Sequence, residues 1–384
     1  MRIAILHNRY REPGGEDNVV AQEVELLRQH GHEIITFYRD NRDIQGQGSV
    51  GLALQTVWSR DSVAELRQFL TAERPDLVHV HNTLPLLSPA VFHVAHNLGY
   101  PTVLTLHNVR LLCPGSTFFR DGAPCTVCLG RSFPWPSVLH ACYRDSRAAS
   151  ATVTAMNAVH RALGTWTRKV SAFIALTEFA KTQFVDGGLP AELMHVRSNY
   201  VDDPEATAID VTRPDAPAVY VGRISEEKGI RTLLEAWRNM KVPLEVYGDG
   251  PLLQEARKYA PPCVRLHGQV SREKVSQAMR EAAFLVMPSV CYEGFPLSVL
   301  EAFSFGLPVV ASRLGALAEI VSHEVTGLHF EVGAASSLAY AVERMASDPI
   351  LRADLGERAR TEYLDRYTPG AAYLRLLEIY ESVL

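Results

Sequence analysis

Two glutamates, Glu293 and Glu301, bracket a Gly-Phe-Pro turn and the start of an apolar helix pattern. The apolar run of residues 283–288 before them predicts a buried strand, so the turn follows the carboxyl end of a strand and begins a helix. Helix starts of this kind bind phosphate, because their unpaired N–H groups and the positive end of the helix dipole favour an anion. Carboxylates beside such a site accept hydrogen bonds from sugar hydroxyls. The pattern therefore predicts a sugar nucleotide as the ligand.

A second segment, residues 222–229, places two cations between a predicted strand and a predicted helix. Arg223 can bind a diphosphate through two parallel hydrogen bonds, and Lys228 adds a point charge, so together they offset the charge on a departing nucleotide diphosphate. Gly222 begins this segment, and Gly248 ends the next predicted strand. Each motif alone also fits a solvated helix start, but their order at the ends of successive strands favours a phosphate site.

With these residues the chain resembles the retaining glycosyltransferases of the two-Rossmann-domain (GT-B) fold, glycosyltransferase family 4 (glycosyl transferases group 1). The resemblance covers nearly the whole chain, and its marks are Glu293 with Glu301, the segment 222–229 and Gly14-Gly15 near the start. It implies an α/β fold of two Rossmann-like domains that face each other across a cleft, with a C-terminal helix that crosses back to the first domain. It also implies transfer of a hexose from a nucleotide-diphosphate sugar with retained configuration.

The resemblance assigns a role to each matching residue. Glu293 would contact the donor sugar's hydroxyls near the reacting carbon, and Glu301 would hold the ribose. Arg223 and Lys228 would bind the diphosphate. Further donor contacts are implied for the turn after the 283–288 strand and for the glycine loops, at Gly15, Gly222, Gly248, Gly294, Phe295, Pro296 and Leu297.

Two residues of the first half complete the implied site. His107 ends a predicted strand, and the histidine at this place in the resembled family touches the donor sugar, which implies orientation and charge stabilisation more than proton abstraction. Glu16, next to Gly15, is expected to contact the acceptor. Asp17 is expected to cap the following helix. With His107, the expected catalytic residues are Arg223, Lys228 and Glu293.

We expect no cofactor for catalysis. Two cationic side chains and a helix dipole can supply the charge that a divalent metal would otherwise provide, and the sequence contains no Asp-x-Asp triplet of the kind that metal-dependent transferases use. The leaving phosphate can take the acceptor's proton on the same face of the sugar, which retains its configuration.

Composition indicates a globular enzyme of two domains, with 384 residues, 47% hydrophobic and 21% charged. The start lacks the pattern of a signal peptide and no apolar run approaches bilayer length, so we expect a cytoplasmic protein, with a peripheral contact at the inner face of the membrane. A net charge of −5 argues against nucleic acid as a partner. Residues 101–200 nevertheless hold ten Lys and Arg against five Asp and Glu, which suits an anionic membrane or a lipid-diphosphate acceptor, unless the arginines are scattered.

Strand and helix patterns alternate along the chain, as in parallel sheets covered on both faces. We expect an N-terminal acceptor-side domain over residues 1–200 and a C-terminal donor-binding domain over residues 201–365. Residues 366–384 are expected to form the returning helix. The stretch of residues 201–216, rich in Asp, Pro and Thr, predicts the boundary.

A cysteine-rich insert is predicted at about residues 108–145, and its thiols could hold a metal. The spacing is C-x11-C-x2-C-x13-C, and a C-x2-C unit joined by two more thiols can enclose zinc tetrahedrally, with an iron–sulfur cluster less favoured. A structural metal would stabilise a segment that is poor in apolar residues. Disulfides and unrelated free thiols are the alternatives. The predicted ligands are Cys113, Cys125, Cys128 and Cys142.

Other activities share parts of this pattern. A sugar-nucleotide epimerase or a phosphorylase can have the same two domains, and a non-catalytic partner protein can keep the fold without turnover. A dinucleotide-dependent oxidoreductase is disfavoured, because residues 6–15 lack Gly-x-Gly-x-x-Gly. Donor and acceptor identity are not readable from the sequence, although assembly of a polysaccharide or lipopolysaccharide on a lipid carrier fits the basic first domain.

Overall fold

The computed structural model describes residues 1–12, 14–44, 48–204 and 209–384, and these divide into two compact units. The first unit contains Met1–Phe118, Thr126–Ser198 and Ala372–Leu384. The second contains Phe119–Cys125 and Asn199–Ala371. Residues 205–208 of the predicted boundary stretch lie outside the described residues.

The first unit is built on a parallel sheet of six strands in the order β2-β1-β3-β4-β7-β8. Its central strands are buried along their whole length, as expected for a sheet covered on both faces. Two further strands of this half of the chain, β5 and β6, form a small antiparallel ribbon that belongs to the second unit. In the described residues the bounds are β1 Arg2–Arg9, β2 Glu33–Asp40, β3 Leu77–Val80, β4 Thr102–Leu106, β5 Phe119–Arg120, β6 Ala123–Pro124, β7 Ala172–Ala175 and β8 Met194–Val196.

Helices connect the strands of this unit, and the last helix of the chain packs on the same sheet. Leu376, Ile379 and Tyr380 of that helix share a hydrophobic core with strand β1 and the first helix. The predicted return of the C-terminal helix to the first domain is therefore confirmed. The helices are α1 Gly15–Gln29, α2 Ser49–Val57, α3 Arg60–Glu73, α4 Ala90–Asn97, α5 Pro136–Leu139, α6 Arg147–Ala162, α7 Thr165–Arg168 and α8 Glu178–Asp186, with the C-terminal helix at Pro369–Glu381.

The second unit contains another parallel six-stranded sheet, in the order β11-β10-β9-β12-β13-β14. If β9 is numbered as the first strand of the unit, the strand order is 3-2-1-4-5-6, which is the order of a dinucleotide-binding Rossmann sheet. The strands are β9 Ala218–Val221, β10 Leu244–Tyr247, β11 Val264–Gly268, β12 Phe284–Met287, β13 Val309–Ser312 and β14 Gly327–Phe330. The helices of this unit are α9 Ile230–Trp237, α10 Leu253–Tyr259, α11 Arg272–Glu281, α12 Leu297–Phe305, α13 Gly315–Ile320, α14 Ala335–Ser347 and α15 Pro349–Arg366, and the C-terminal helix described above is α16.

The predicted α/β class with two Rossmann-like domains is confirmed, because both sheets are parallel and flanked by helices. Asp17 takes part in capping α1, as expected, but from its first turn and not as the N-cap residue, which is Gly14: its carboxylate accepts a hydrogen bond from the N–H of Gly14 (3.0 Å). Within the described residues, no helix combines the length and apolar character that a membrane crossing requires.

Replacing Gly229 with alanine should destabilise the second unit by about 3 kcal/mol or more. Gly229 precedes α9 at φ 72°, and a Cβ atom there would lie 1.8 Å from the carbonyl oxygen of Pro288. Gly333 has the same φ of 72° but open space around it, so Gly333→Ala measures the conformational cost alone, about 1–2 kcal/mol. Thermal unfolding of both variants checks this, and equal losses of stability would contradict it.

Candidate nucleotide-sugar site

All the sequence-predicted donor residues except Gly15 lie in the second unit, around the carboxyl edge of its sheet, where the strand order reverses. The reversal falls between β9 and β12, and ligands of doubly wound sheets bind outside the carboxyl ends of such strands. Gly222 and Arg223 directly follow β9, and Glu293 lies in the loop after β12. The two loops are joined by a hydrogen bond from the N–H of Val290 to the carbonyl of Glu227 (2.9 Å).

Lys228 and Glu293 form a close ion pair. The Lys228 Nζ atom lies 2.7 and 2.6 Å from the two carboxylate oxygens of Glu293, and the Glu293 side chain is only 8% exposed. The hydroxyl of Ser289 donates to the same carboxylate (2.5 Å). Burial lowers the pKa of Lys228, but the charge of Glu293 outweighs this effect and the pKa lies above its usual value. Lys228 is therefore a fixed cation.

Arg223 differs from Lys228 in its surroundings. Its side chain is exposed, and in the described part of the chain it enters no ion pair. Its carbonyl accepts a hydrogen bond from the Tyr220 hydroxyl (2.7 Å), which fixes the backbone of the loop. A guanidinium in this position is available to an anionic ligand.

The glycine loops after β9 and β10 pack backbone against backbone. A Cβ atom on Gly248, whose φ is 141°, would lie 1.8 Å from the carbonyl oxygen of Gly222. The N–H of Ile224 donates to the carbonyl of Asp249 (2.9 Å) and holds the two loops together. Gly248 thus supports the loop that carries Arg223.

The turn after Glu293 begins helix α12. Phe295 packs against the core, edge-on to the ring of Tyr367 (centroids 6.1 Å apart), and Gly294 precedes it. Pro296 is the N-cap of α12, so the first N–H groups of the helix start at Leu297. This confirms the strand, turn and helix arrangement predicted around the two glutamates.

Glu301 occupies the second turn of α12 and lines a pocket of the second unit. Arg272 lies 3.8 Å from its carboxylate, and Ser276 and Ser304 line the same pocket. Burial raises the pKa of Glu301, against the opposing charge of Arg272. A partly buried carboxylate with one distant cation can accept hydrogen bonds from vicinal hydroxyls.

In the first unit, Glu16 and His107 line a common pocket with Asn82, Asn108 and Arg110. The strand order reverses between β1 and β3, so the segments after these strands meet at a switch point of this sheet too. Gly15, the first residue of α1, is exposed at the end of the loop that follows β1.

Glu16 is held by neighbouring polar side chains. Its carboxylate accepts hydrogen bonds from the Tyr10 hydroxyl (2.8 Å) and from Asn108 Nδ2 (3.4 Å). Burial raises the pKa of Glu16, and the bond from Tyr10 and the charge of Arg110 oppose it. These partners were not identified from the sequence.

His107 lies directly after β4 and contacts a second histidine. Its Nε2 atom is 2.9 Å from Nδ1 of His81, and the two rings stack with centroids 5.2 Å apart. Beyond His81 lies Glu23 of α1, 1% exposed, which sequence reasoning missed. A signal was present: Glu23 lies four residues from both Val19 and Leu27, on the apolar face of its helix.

The four cysteines of the insert differ in burial. Cys113 and Cys128 are buried, and Cys125 and Cys142 are half-buried. A Cβ atom on Gly115 would lie 3.0 Å from the carbonyl oxygen of Cys142, so the segment after Cys113 runs beside Cys142. Over the described ranges, only Glu23, His79 and His81 place three ligand atoms within 4.8 Å of one another. No three of the cysteine thiols lie this close together in the described residues, and metal analysis of the purified protein tests the predicted zinc.

Two family models match the chain. Glycosyltransferase Family 4 matches residues 13–204, and Glycosyl transferases group 1 matches residues 217–348. The two matches fall on opposite sides of the predicted boundary stretch, and the first covers half of the chain.

Similar proteins and solved structures agree with these matches. Alpha-D-kanosaminyltransferase of Streptomyces kanamyceticus is 26% identical over 74% of this chain and 72% of its own length. The amylovoran biosynthesis glycosyltransferase AmsK of Erwinia amylovora is 28% identical over 51% of this chain and 52% of its own. The chain thus spans about half the length of several curated relatives that it matches. The structure of HepE from Anabaena in complex with UDP and glucose has a TM-score of 0.68 at 20% identity and covers 100% of both chains, which shows the fold.

Proposed function

This chain belongs to glycosyltransferase family 4, and we propose that it transfers a hexose from a nucleotide-diphosphate sugar to a glycan or lipid-linked acceptor. The observation that carries the proposal is the partly buried Lys228–Glu293 pair, whose lysine shares a loop with the exposed Arg223 at the carboxyl edge of a Rossmann sheet. A cation for phosphate and a carboxylate for hydroxyls, held within 2.7 Å of each other, suit the junction of sugar and diphosphate.

In the proposed reaction the residues act on charge and position. As the bond between the anomeric carbon and the phosphate oxygen breaks, negative charge builds on the diphosphate, and Lys228, Arg223 and the start of α12 stabilise it. Glu293 orients the sugar through its hydroxyls, and Glu301 holds the ribose. In the first unit, Glu16 contacts the acceptor.

We propose that the configuration of the sugar is retained and that no divalent metal takes part. The leaving phosphate accepts the proton of the attacking hydroxyl on the face that it vacates. Two side-chain cations and the dipole of α12 supply the positive charge for this step.

The relatives suggest where the product is used. AmsK acts in amylovoran biosynthesis by its name, and another relative is a lipopolysaccharide 1,2-N-acetylglucosaminetransferase of Salmonella typhimurium. We therefore propose a role in assembly of a polysaccharide or a lipopolysaccharide.

The activity is tested with a panel of UDP, GDP, dTDP and ADP sugars. A preferred donor should raise the melting temperature, because a ligand that binds only the folded protein stabilises it by mass action. Nucleoside diphosphate should then be released only when donor and acceptor are both present. Conversion of the donor without an acceptor would instead identify an epimerase, and binding without either reaction a non-catalytic partner.

We also propose that the insert contacts an anionic membrane surface. Phe133, Trp135 and Leu139 are 53%, 50% and 53% exposed, and the guanidinium of Arg131 lies 5.9 Å from the Trp135 ring centre. Aromatic and apolar side chains enter the interface of a bilayer, and neighbouring cations are attracted to anionic lipids by about 1 kcal/mol each. Arg144 and Arg147 supply further positive charge.

The double variant Trp135→Ser with Leu139→Ser should lower binding to vesicles that contain phosphatidylglycerol by about 10-fold, because it removes two apolar anchors. Co-sedimentation with these vesicles and with neutral phosphatidylcholine vesicles measures the effect. Ile350→Ser, at an 81% exposed position of the second unit, is the control. Equal binding by the double variant, or binding that is indifferent to lipid charge, would contradict the proposal.

A further inference from the structure

A buried charge lies behind His107 in the first unit. The carboxylate of Glu23 is 1% exposed and lies 2.5 Å from Nη1 of Arg197, which is 3% exposed. Burial raises the pKa of Glu23, but Arg197 and then His79 outweigh this effect and hold it well below its usual value. Glu23 is therefore a carboxylate and can only accept hydrogen bonds.

His81 lies between this carboxylate and His107. Its Nε2 atom is 3.3 Å from Oε1 of Glu23, and its Nδ1 atom is 2.9 Å from Nε2 of His107. Burial lowers the pKa of His81 to about 4 and that of His107 well below its usual value, so both rings are neutral at physiological pH. Each neutral ring carries one N–H and one lone pair.

The negative charge of Glu23 decides which nitrogen carries the proton on His81 and on His107. If His81 carried its proton on Nδ1, its Nε2 lone pair would face the negative Oε1 atom in a buried site, which is unfavourable. If the proton is on Nε2, it faces the negative Oε1 atom of Glu23 at 3.3 Å, which is a favourable charge contact although not a well-formed hydrogen bond, and Nδ1 accepts a hydrogen bond from Nε2–H of His107. His107 then has its lone pair on Nδ1.

A metal ion is the other reading of this cluster, since Glu23, His79 and His81 could each offer one ligand atom. Arg197 argues against it, because its guanidinium already neutralises Glu23. His79 Nδ1 lies 3.1 Å from Oε1 of Glu23, but both of its ring nitrogens already have hydroxyl partners, Tyr380 (2.7 Å) and Thr105 (2.7 Å).

We propose that Glu23 and His81 are positioning residues that hold His107 as the Nε2-protonated tautomer, with Nδ1 free to accept a hydrogen bond from a substrate hydroxyl. His107 thus recognises a hydroxyl and does not donate to the leaving group. The inference rests on the proposed sugar transfer, because it is the transfer that brings a hydroxyl to His107.

The tautomer is measured without any substrate. Two-bond ¹H–¹⁵N correlation spectra of protein labelled at histidine distinguish the two forms, and His107→Gln and His81→Gln assign the signals. We expect Nε2–H for both rings at neutral pH. A proton on Nδ1 of His107, or of His81, would overturn the proposal, whether or not the enzyme is active.

Kinetics then test the consequence for transfer. His81→Phe should lower kcat about 10-fold or more, because it frees the His107 ring, and should leave KM for the donor sugar within about twofold. His81→Gln should recover most of the activity, since its amide can donate to Glu23 and accept from His107. His160→Phe is the control, because His160 is equally buried and bonded to Thr165 and Val57, outside this chain of contacts.

These outcomes separate the proposed positioning role of Glu23 and His81 from the proposed sugar transfer. Donor-induced thermal stabilisation of His81→Phe with a lowered kcat supports the positioning role. An equal loss of kcat in His160→Phe, or normal kcat in His81→Phe, would contradict it. If His81→Phe does not fold, the tautomer of His107 measured in the wild-type protein still decides whether the positioning role is correct. Absence of any donor binding by the wild-type protein would refute the proposed function and leave the tautomer result standing.

Discussion

Replacing Lys228 with alanine should lower the rate of sugar transfer by about 100- to 1,000-fold, the usual effect of removing one preorganised group from a developing anion. Lys228 is held by Glu293 at 2.6 Å, and its raised pKa keeps it charged throughout the neutral range. The diphosphate that leaves the sugar would lose this charge, so both transfer and affinity for nucleoside diphosphate should fall. Steady-state kinetics and calorimetric titration with UDP or the preferred diphosphate measure the two effects.

Lys241→Ala provides the matched control, since Lys241 is exposed in the same unit and its removal deletes one positive charge without touching the site. It should change both quantities by less than about twofold. Near-normal turnover of Lys228→Ala, with unchanged affinity for the diphosphate, would show that the phosphate assignment is wrong. Thermal unfolding separates a loss of activity from a loss of folded protein.

The second half of the chain was the more predictable one. Two of its strands are short apolar runs that end directly before a glycine, Ala218–Val221 before Gly222 and Leu244–Tyr247 before Gly248. Because parallel strands end at one edge, the order of the motifs along the chain was enough to place Gly222 and Glu293 at that edge.

What the sequence could not predict are pairings between distant residues. Lys228 and Glu293 were each identified as site residues, but the sequence did not predict the ion pair between them, which joins positions 65 residues apart. Glu23 and Arg197 are 174 positions apart, and their contact requires α1 and the segment after β8 to meet. Such contacts depend on tertiary packing, which local patterns do not encode.

The insert resisted prediction for a different reason. Its backbone turns repeatedly through left-handed conformations at residues other than glycine, among them Phe118, Asp121 and Arg144. Residues that carry a Cβ atom rarely adopt these backbone φ angles by intrinsic preference, so packing around the segment imposes them. The cysteine spacing therefore predicted metal ligands in this segment but not the course of its backbone.

Replacing Glu293 with glutamine should separate binding from catalysis. In the structure both carboxylate oxygens of Glu293 accept hydrogen bonds from Nζ of Lys228, so a diphosphate must compete with this carboxylate for the same cation. Without that competitor, affinity for nucleoside diphosphate should stay equal or rise a few-fold. Transfer should fall by about 10- to 100-fold, because the sugar hydroxyls lose a charged acceptor worth about 1.5–3 kcal/mol.

The same change should make diphosphate binding sensitive to alkaline pH. Glu293 is the strongest of the groups that raise the pKa of Lys228 against the effect of burial. In the Glu293→Gln variant only Cys291 and Glu227 still oppose burial, so the pKa falls below its wild-type value. Lys228 would then lose its proton, and the diphosphate its cation, at a lower pH than in the wild-type protein. Titrations from pH 7 to pH 10 measure the shift.

Glu301→Gln gives the contrast, because Glu301 lies near Arg272 and not at Lys228. It should weaken binding of the diphosphate through the ribose, with no new pH dependence. A Glu293→Gln variant that binds the diphosphate as weakly as Lys228→Ala would mean that the carboxylate positions the lysine. In that case the pair is a structural support for the loop, and the sugar hydroxyls are recognised by other groups.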